Sequence, residues 1–441
     1  MTTEKVSKKT DWSSLWKKED WWAVWIGLLI LLLGVAKWLP SLPKITKWAT
    51  VAKSFPAGLG TIWPTLLLFI FLLVLTLVAI ALIGKGVRRF FPAFIVIFSL
   101  AFLAAWVGKY TLFLNWGLET VLWALVLGLA VGNIWRIPEW LKAGIQTEFF
   151  IKIGLVLLGA EILFSTIAKG GAVGIGQALL VVTAVWFAAY WIARKFGLEK
   201  NFASVMATGL SICGVSAAIA AGGAIKGNPK HTSHVISLVL LVAMPMLVGM
   251  PLLVKALGLS PQVGGAWIGS TVDTTAATVA AATMVDPQIG LQVGSLVKIS
   301  QNVLIGFAAF FLAIWSTFSG QRKSDIRPDV ERPRLVEIWY RFPKFIIGFV
   351  VASFIFSLVV EPAVGTTGTN AILGLTKGYR EWFFTLAFIS IGLETRFKEL
   401  VAVGGGRPVL AFVTSQVVNI LWALLIVWIL WSGTFFAPPI R

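Results

Sequence analysis

Two stretches rich in glycine, serine, threonine and alanine interrupt an otherwise apolar sequence. The first, "GLSICGVSAAIAAGG", runs from Gly209 to Gly223, and the second, "GSTVDTTAATVAAAT", runs from Gly269 to Thr283. With Gly209 laid on Gly269, the second stretch is a recognisable copy of the first. Inside a membrane a helix breaks only where protein or a water-filled cavity satisfies the freed backbone groups. Each stretch therefore predicts a broken helix beside a cavity.

The helix that follows each break could bind a small anion, because its first turn presents free N–H groups and the positive end of the helix dipole. We expect the two breaks to face each other across one cavity, with the backbones of Gly214 and Thr274 on the order of 10 Å apart. A single stripe of small residues more often serves close helix packing. Two related copies, each with a cluster of hydroxyl groups, favour a binding site.

Two ionisable residues accompany the second stretch, and such groups within a membrane are costly and usually functional. Lys298 lies in the next apolar run and could neutralise an anion, or pair with Asp273 when the site is empty. Asp273 is less suited to anion binding and could carry a proton, coordinate Na⁺ or hold Lys298 in place. The candidate substrate-binding residues are Ser211, Cys213, Gly214, Ser216, Thr271, Asp273, Thr274, Thr275, Lys298, Gln301 and Asn302.

The composition predicts an all-α polytopic membrane protein, since 58% of the 441 residues are hydrophobic and 13% are charged. Soluble domains carry about twice that charged fraction. The net charge of +18 lies in loops between apolar runs and predicts no nucleic-acid partner. We find no Walker A loop, nucleophile elbow or H-E-x-x-H motif, and the single cysteine excludes a disulfide framework. The sequence thus predicts neither an enzyme nor a cofactor or metal site.

About eleven runs are long enough to span roughly 30 Å of hydrocarbon. They lie near 21–39, 61–83, 90–108, 114–133, 148–168, 173–193, 233–257, 290–317, 343–361, 378–395 and 405–431. The expected organisation is a basic cytoplasmic N-terminus (1–20), N-terminal helices (21–110), a core (111–318) with broken segments 203–226 and 262–286, a basic cytoplasmic loop (319–342) and C-terminal helices (343–441).

Basic clusters predict a cytoplasmic N-terminus in a cell (inner or plasma) membrane, because cytoplasmic loops are enriched in Lys and Arg. Lys44, Lys47 and Lys53 fall on the other side, where 40–60 could lie on the membrane surface as an amphipathic segment. If both broken segments dip into the membrane and return, the basic loops around 226–234 and 319–342 stay cytoplasmic. The segments would then enter from opposite faces, as inverted repeats do. We favour this arrangement over two ordinary spans.

A second internal similarity supports a duplicated architecture. "EFFIKIGLVLLGAEILFSTIAKGG" (148–171) aligns with "EWFFTLAFISIGLETRFKELVAVG" (381–404), which places Glu148 on Glu381, Gly159 on Gly392 and Glu161 on Glu394. The predicted topology gives these two segments opposite directions. Glu161, Glu394 and Lys152 could be functional, or they could equally be interfacial side chains that reach toward water.

The residues "GLSICGVSAAIAA", "GGAWIGSTVDTTAATVAAA", "VKISQNVLIG" and "FISIGLET" resemble the YeiH-type family of proposed sulfate exporters, over roughly 90–430. This family is grouped with cation:proton antiporters and anion transporters, which implies a core of crossing broken helices that moves against a scaffold. Many relatives read I-H-D-T-A-Q at 271–276 and carry Arg where Gln301 stands. Here Asp273 and Thr274 are kept, but the His, the Gln and that Arg are absent.

The sequence therefore predicts an elevator-like secondary transporter of a small anion, sulfate or a sulfonate first, coupled to H⁺ or Na⁺. The alternative is a cation/proton antiporter of the Na⁺/H⁺ type that uses Asp273 and Lys298. A channel-like or structural membrane protein needs no buried ionisable pair. The exact substrate, direction, coupling ion, stoichiometry and oligomeric state, including a homodimer, stay open at this stage.

Overall fold

A computed structural model describes residues 14–50, 61–115, 120–225, 227–318, 336–396 and 406–435. Predictions for residues 1–13, Lys53, Lys226 and the basic stretch 319–335 lie outside the described residues. Regular secondary structure in the described part is helical, apart from an isolated bridge between Trp48 and Tyr110. The helices are α1 Ser14–Lys17, α2 Glu19–Val35, α3 Ile62–Ile83, α4 Val87–Val107, α5 Thr111–Asn115, α6 Thr120–Ile134, α7 Glu139–Lys142, α8 Thr147–Ala160, α9 Phe164–Lys195, α10 Lys200–Ser211, α11 Val215–Ala224, α12 Pro229–Ala256, α13 Pro261–Thr271, α14 Thr275–Val285, α15 Ile289–Phe318, α16 Val336–Arg341, α17 Phe345–Ile355, α18 Glu361–Glu394 and α19 Arg407–Trp431.

Among the described residues, 8 helical segments are long and apolar enough to cross a membrane. The expected spans at 343–361 and 378–395 lie in one helical run, Phe345–Glu394, which includes a π-helical turn at 356–360 and a break at Gly365. The apolar helices α2 and α6, with 17 and 15 residues, are shorter than these 8 segments, the shortest of which has 21 residues. Many large apolar side chains on the outer helices are exposed, as a lipid-facing surface requires. The chain is a polytopic helical membrane protein.

Two stretches differ from the sequence-based expectation. The span expected at 148–168 ends at Ala160, and α9 begins at Phe164. Within the turn between them, Ser353 donates a hydrogen bond to the carbonyl of Ile162. Hydropathy does not reveal this turn, since "ILF" at 162–164 is apolar. Residues 40–50 form no helix, and Trp48 stacks on Trp106 with 4.6 Å between ring centroids. The second half of the expected amphipathic segment, 51–60, is outside the described part.

The two small-residue segments form helical hairpins with the same layout. The first hairpin consists of α10 and α11 around a break at 212–214, and the second of α13 and α14 around a break at 272–274. A Cβ added to Gly209 would lie 3.4 Å from the Ala218 Cβ, across the first hairpin. A Cβ added to Gly264 would lie 3.3 Å from Val285 Cγ1, across the second. Each segment therefore folds back on itself.

The tips of the two hairpins touch. A Cβ added to Gly214 would lie 3.3 Å from the carbonyl oxygen of Asp273. This approach is closer than the separation of about 10 Å expected from helix ends that share a hydrated anion. Gly214 has φ 67° and ψ −107°, a backbone conformation that L side chains avoid. The glycine therefore allows both the turn and the contact.

Helix α8 and the second half of α18 pack antiparallel and are joined at both ends. The Thr147 hydroxyl donates a hydrogen bond of 2.9 Å to Glu394, and Arg380 forms an ion pair of 3.0 Å with Glu161. In the alignment that places Glu148 on Glu381, Thr147 falls on Arg380 and Glu161 falls on Glu394. The contact pattern thus repeats when the two helices are exchanged.

The contact of α8 with its outer neighbour α17 also corresponds to the contact of α18 with its outer neighbour α6. The backbone of α8 meets that of α17 at Gly159 and Phe349, and the backbone of α18 meets that of α6 at Gly392 and Gly128. Three residues further on, the carbonyls of Ile162 and Thr395 accept hydrogen bonds from Ser353 of α17 and Asn133 of α6, respectively. Small residues allow such close approaches between membrane helices.

The contact between α6 and α18 leads to a stability prediction. A Cβ at Gly392 would lie 2.5 Å from the Leu129 backbone nitrogen, so Gly392→Ala must push the helices apart. We expect the change to lower the free energy of unfolding by about 1–3 kcal/mol, as overpacking does. Gly176→Ala is the control, since a Cβ there meets no atom within 4 Å. Thermal unfolding in detergent checks the prediction, and equal melting temperatures for the two variants would contradict it.

Candidate functional site

Two adjoining cavities of about 560 and 410 Å³ open beside the touching hairpin tips. Their walls share Glu148, Cys213, Ser216 and Thr275, and we call the two together the tip cavity. The shared residues come from α8, from the break and the first turn of α11 in the first hairpin, and from the first turn of α14. The beginnings of both second hairpin helices therefore line the same space.

The N-terminus of α11 borders the tip cavity, and its N-cap residue supplies no side-chain hydrogen bond. Its N-cap is Gly214, which has no side chain to accept a hydrogen bond from the first-turn N–H groups. Ser216, at the second position of the helix, is exposed to the cavity. Uncapped N–H groups, the helix dipole and a hydroxyl together favour negative charge at this point.

The N-terminus of α14 has a different cap but borders the same cavity. Thr274 is its N-cap, and the threonine hydroxyl accepts a hydrogen bond of 3.2 Å from the Ala277 N–H. Thr275 lines the cavity, and its hydroxyl accepts a hydrogen bond of 3.2 Å from the Asn302 amide. Asn302, on α15, lines the adjoining part of the cavity. This second helix end adds two hydroxyls and one amide to the site.

Side chains of α15 and α19 hold the first helix of each hairpin at its C-terminal end. Lys298 donates hydrogen bonds to the Ile212 carbonyl, at 2.9 Å, and to the Gln301 side-chain oxygen, at 3.1 Å. Gln301 donates to the Ser270 carbonyl at 3.1 Å, and Gln416 donates to the Thr271 carbonyl at 2.7 Å. Carbonyl groups at a helix C-terminus need such partners when they are buried. These polar side chains fix the position of both tips.

Asp273 lies at the point of contact and is almost completely buried, with an exposure of 1%. Neither carboxylate oxygen has a hydrogen-bond partner among the described residues. Lys298 is equally buried, yet no ion pair within 4.0 Å joins it to Asp273 in this part of the chain. The expected pair is therefore a pair of buried neighbours without direct contact, and the lysine is turned toward a carbonyl group.

Five of the eleven candidate residues line the tip cavity, namely Cys213, Ser216, Thr274, Thr275 and Asn302. The other six do not line it, namely Ser211, Gly214, Thr271, Asp273, Lys298 and Gln301. Ser211 is buried, and its hydroxyl has no hydrogen-bond partner among the described residues, whereas the Thr271 hydroxyl donates to the Trp267 carbonyl of its own helix. The structure thus separates residues that face the cavity from residues that shape the tips.

The cavity also contains charged residues that the sequence did not single out as a site. Glu148 and Glu394, at the facing ends of α8 and α18, line it together with Arg396. On the adjoining wall Lys152 forms an ion pair of 2.9 Å with Asp20. Arg341 is also on that wall and donates a hydrogen bond to the Ala220 carbonyl. The internal similarity between 148–171 and 381–404 was the only signal in the sequence that joined Glu148 and Glu394 to one feature.

Comparison with known families identifies the chain at the family level. A sequence profile described as "Conserved hypothetical protein 698" matches residues 92–411, which include both hairpins and α18. The chain belongs to this family. No solved structure matches it.

Relatives named UPF0324 membrane protein occur in several bacteria. The one from Rhodopirellula baltica is 39% identical over 411 residues, which cover 90% of this chain and 73% of the relative. One from Nitratidesulfovibrio vulgaris is 33% identical over 411 residues, 91% of this chain and 69% of the relative. One from Nitrosomonas europaea is 29% identical over 452 residues, 89% of this chain and 91% of the relative. The similarity therefore extends over nearly the whole chain.

Proposed function

We propose that the protein is a secondary active transporter of a small anion, with sulfate or a sulfonate as the first choice. The observation that carries this proposal is the convergence of two helix N-termini, from α11 and α14, on one cavity. Such ends bind anions through N–H groups and the helix dipole. The hydroxyls of Ser216, Thr274 and Thr275 are suited to the oxygen atoms of a sulfate group. The similarity to proposed sulfate exporters points to the same class of substrate.

We propose H⁺ as the coupling ion. Glu148 and Glu394 line the same cavity as the helix ends, and an ionised carboxylate would repel a bound anion. Proton binding to one carboxyl would weaken that repulsion, and proton binding to both would remove it. Anion and proton would then favour each other's binding, which is the thermodynamic requirement for coupled transport in one direction.

We further infer that the hairpins are inverted repeats that enter the membrane from opposite faces and move as a core against the outer helices. Three observations support this inference: the common layout of the hairpins, their touching tips and the exchange symmetry of the α8 and α18 contacts. Such repeats place substrate near the middle of the membrane. The positive-inside rule assigns the end of α8 at Glu148 to the cytoplasm, with the N-terminus on the same side of an inner or plasma membrane.

Uptake of radiolabelled sulfate into proteoliposomes tests the proposal. We expect Ser216→Ala and Thr275→Val each to lower uptake at least about tenfold, since each removes a hydroxyl that would bind the anion, and loss of a hydrogen bond to a charged group costs roughly 1.5–3 kcal/mol. Thr76→Val is the control, because that hydroxyl is bonded within α3 to the Leu72 carbonyl. An imposed proton gradient should drive the uptake. Uptake that is equal in all three variants would contradict the anion site.

A cation/proton antiporter is the second candidate, and the state of Asp273 favours it. A buried carboxylate without a hydrogen-bond partner is costly and would be satisfied by a proton or by Na⁺. Na⁺/H⁺ exchange that is lost in Asp273→Asn, in vesicles that take up no sulfate or sulfonate, would establish this function in place of anion transport.

A further inference from the structure

The smaller compartment of the tip cavity, of about 410 Å³, has a lysine in its wall beside the two helix starts. Lys152 of α8 lines it together with Ser216 and Thr275, which lie in the first turns of α11 and α14. The sequence predicts Lys298 as the cation of the site, but that side chain does not line the cavity and donates to the Ile212 carbonyl. Among the described residues, Lys152 is the one lysine that lines the tip cavity.

Two arginines also line the tip cavity, but each lies in a different setting. Arg341 donates a hydrogen bond to the Ala220 carbonyl, which lies beyond the first turn of α11. Arg396 lines the larger compartment and not the smaller one, and the carboxylate of Glu394 lines the same compartment. We therefore expect an anion at the two helix starts in the smaller compartment to meet the ammonium group of Lys152.

Two carboxylates from the first turn of α2 hold Lys152 at the cavity wall. The ammonium nitrogen is 2.9 Å from Asp20 and 3.5 Å from Glu19. Each carboxylate has a second partner that does not depend on the lysine. The other oxygen of Asp20 accepts a hydrogen bond of 3.1 Å from the Lys344 backbone N–H. The other oxygen of Glu19 forms an ion pair of 2.9 Å with Lys85. Lys152 can therefore leave both carboxylates without leaving either one alone.

The positive charge at the helix starts bears on the charge of the anion. Each helix N-terminus is equivalent to roughly half an elementary charge. The two ends together would balance one negative charge, and the ammonium group of Lys152 would balance a second. Hydrogen bonds from an ammonium group to an anion are also stronger than those from neutral hydroxyls. A dianion such as sulfate therefore fits this arrangement better than a monoanion such as a sulfonate.

We propose that Lys152 binds the transported anion and makes the site selective for a dianion, and that Asp20 takes the place of the anion at Lys152 when the site is empty. This inference rests on the proposed anion transport and decides between the two substrate classes named there. When the anion binds, the ammonium group turns from Asp20 to the anion, and Asp20 keeps the Lys344 N–H. Because Asp20 and the anion compete for one cation, loss of Asp20 and loss of Lys152 change the affinity in opposite directions.

Calorimetric titration of the purified chain in detergent with sodium sulfate and with sodium methanesulfonate, at constant ionic strength, tests the proposal. We expect Asp20→Asn to lower the Kd for sulfate at least about tenfold, since the carboxylate that competes for Lys152 is removed. Adding Lys152→Gln should raise that Kd again at least about tenfold, because a hydrogen bond between charged groups is lost. The double variant strands no charge, since Glu19 keeps Lys85. Both changes in Kd should be smaller for methanesulfonate, which carries one negative charge.

Glu139→Gln with Lys142→Gln is the matched control, because this exposed ion pair lies outside the tip cavity and should leave both Kd values unchanged. Equal Kd values for sulfate in Asp20→Asn and in the double variant would overturn the role of Lys152, even if Ser216→Ala still lowered sulfate uptake. Equal changes for sulfate and methanesulfonate would overturn the selectivity for a dianion. A wild-type protein that neither binds nor takes up either anion would instead reject the proposed anion transport, and this inference with it.

Discussion

Replacing Lys298 with methionine is expected to lower the free energy of unfolding by about 3–5 kcal/mol, because the buried carboxylate of Asp273 loses the opposite charge of this nearby lysine. Lys298 and Asp273 are each 1% exposed. The change also removes the donor to the Ile212 carbonyl at the tip of the first hairpin. Thermal unfolding in detergent, followed by tryptophan fluorescence, measures the loss. Lys169→Met, which removes an exposed lysine of α9, should leave the melting temperature nearly unchanged.

The double variant Asp273→Asn with Lys298→Met distinguishes a structural role of the lysine from a role in binding. Lys298 does not line the tip cavity, and its hydrogen bonds go to Ile212 and Gln301. We therefore expect the double variant to regain most of the stability and to bind sulfate, with Lys298 acting as a positioning residue. A stable double variant without sulfate binding would place the lysine in the binding site. Loss of Na⁺/H⁺ exchange in the same stable variant would favour the antiporter.

The hairpins were predictable from the sequence because their composition conflicts with their surroundings. Glycine, serine and threonine in hydrocarbon require a structural reason, and the spacing of the two copies placed both breaks. The structure has these segments at 200–224 and 261–285, close to the expected 203–226 and 262–286. Fold-back within each segment was the favoured interpretation of the charge distribution. The contacts of Gly209 and Gly264 lie across the two hairpins, and re-entry of the hairpins into a membrane stays a proposal.

The composition of the cavity wall could not be predicted in the same way. Glu394 follows an apolar run and is 247 residues from Thr147, so the sequence alone describes it as a residue at a membrane surface. Only the antiparallel packing of α8 on α18 brings the ends of these helices to the hairpin tips. Lys298 shows the opposite case. Its depth in an apolar run correctly indicated burial, but the direction of its side chain depends on which backbone carbonyl lacks a partner.

The structure adds most to the similarity between 148–171 and 381–404. Its few identical positions lie among apolar residues, where chance matches are common. In the structure, the aligned positions make equivalent contacts at both ends of α8 and α18 and at the glycines that meet α17 and α6. Equivalent contacts support a duplication more strongly than identical residues do, since each contact requires two residues in a particular arrangement.

The contact between the hairpin tips leads to the prediction with the largest expected effect on transport. We expect Gly214→Ala to lower sulfate uptake at least about 100-fold, as displacement of a binding group by roughly 1 Å can. The φ of 67° strains any side chain at this position, and the new Cβ would lie 2.6 Å from Val239 Cγ1 and 3.3 Å from the Asp273 carbonyl. Radiolabelled uptake at matched protein density measures the effect, with Gly176→Ala as the control for a glycine in open space.

Adding Val239→Ala to Gly214→Ala separates the two causes. This second change removes the side chain that the new Cβ would strike, whereas the backbone strain and the approach to Asp273 persist. Because the first helix end is positioned by the backbone of Gly214, we expect the double variant to regain some thermal stability and to stay inactive. Wild-type uptake in the double variant would mean that crowding at Val239 alone caused the loss. The touching tips would then not be the element that positions the α11 N-terminus toward the anion.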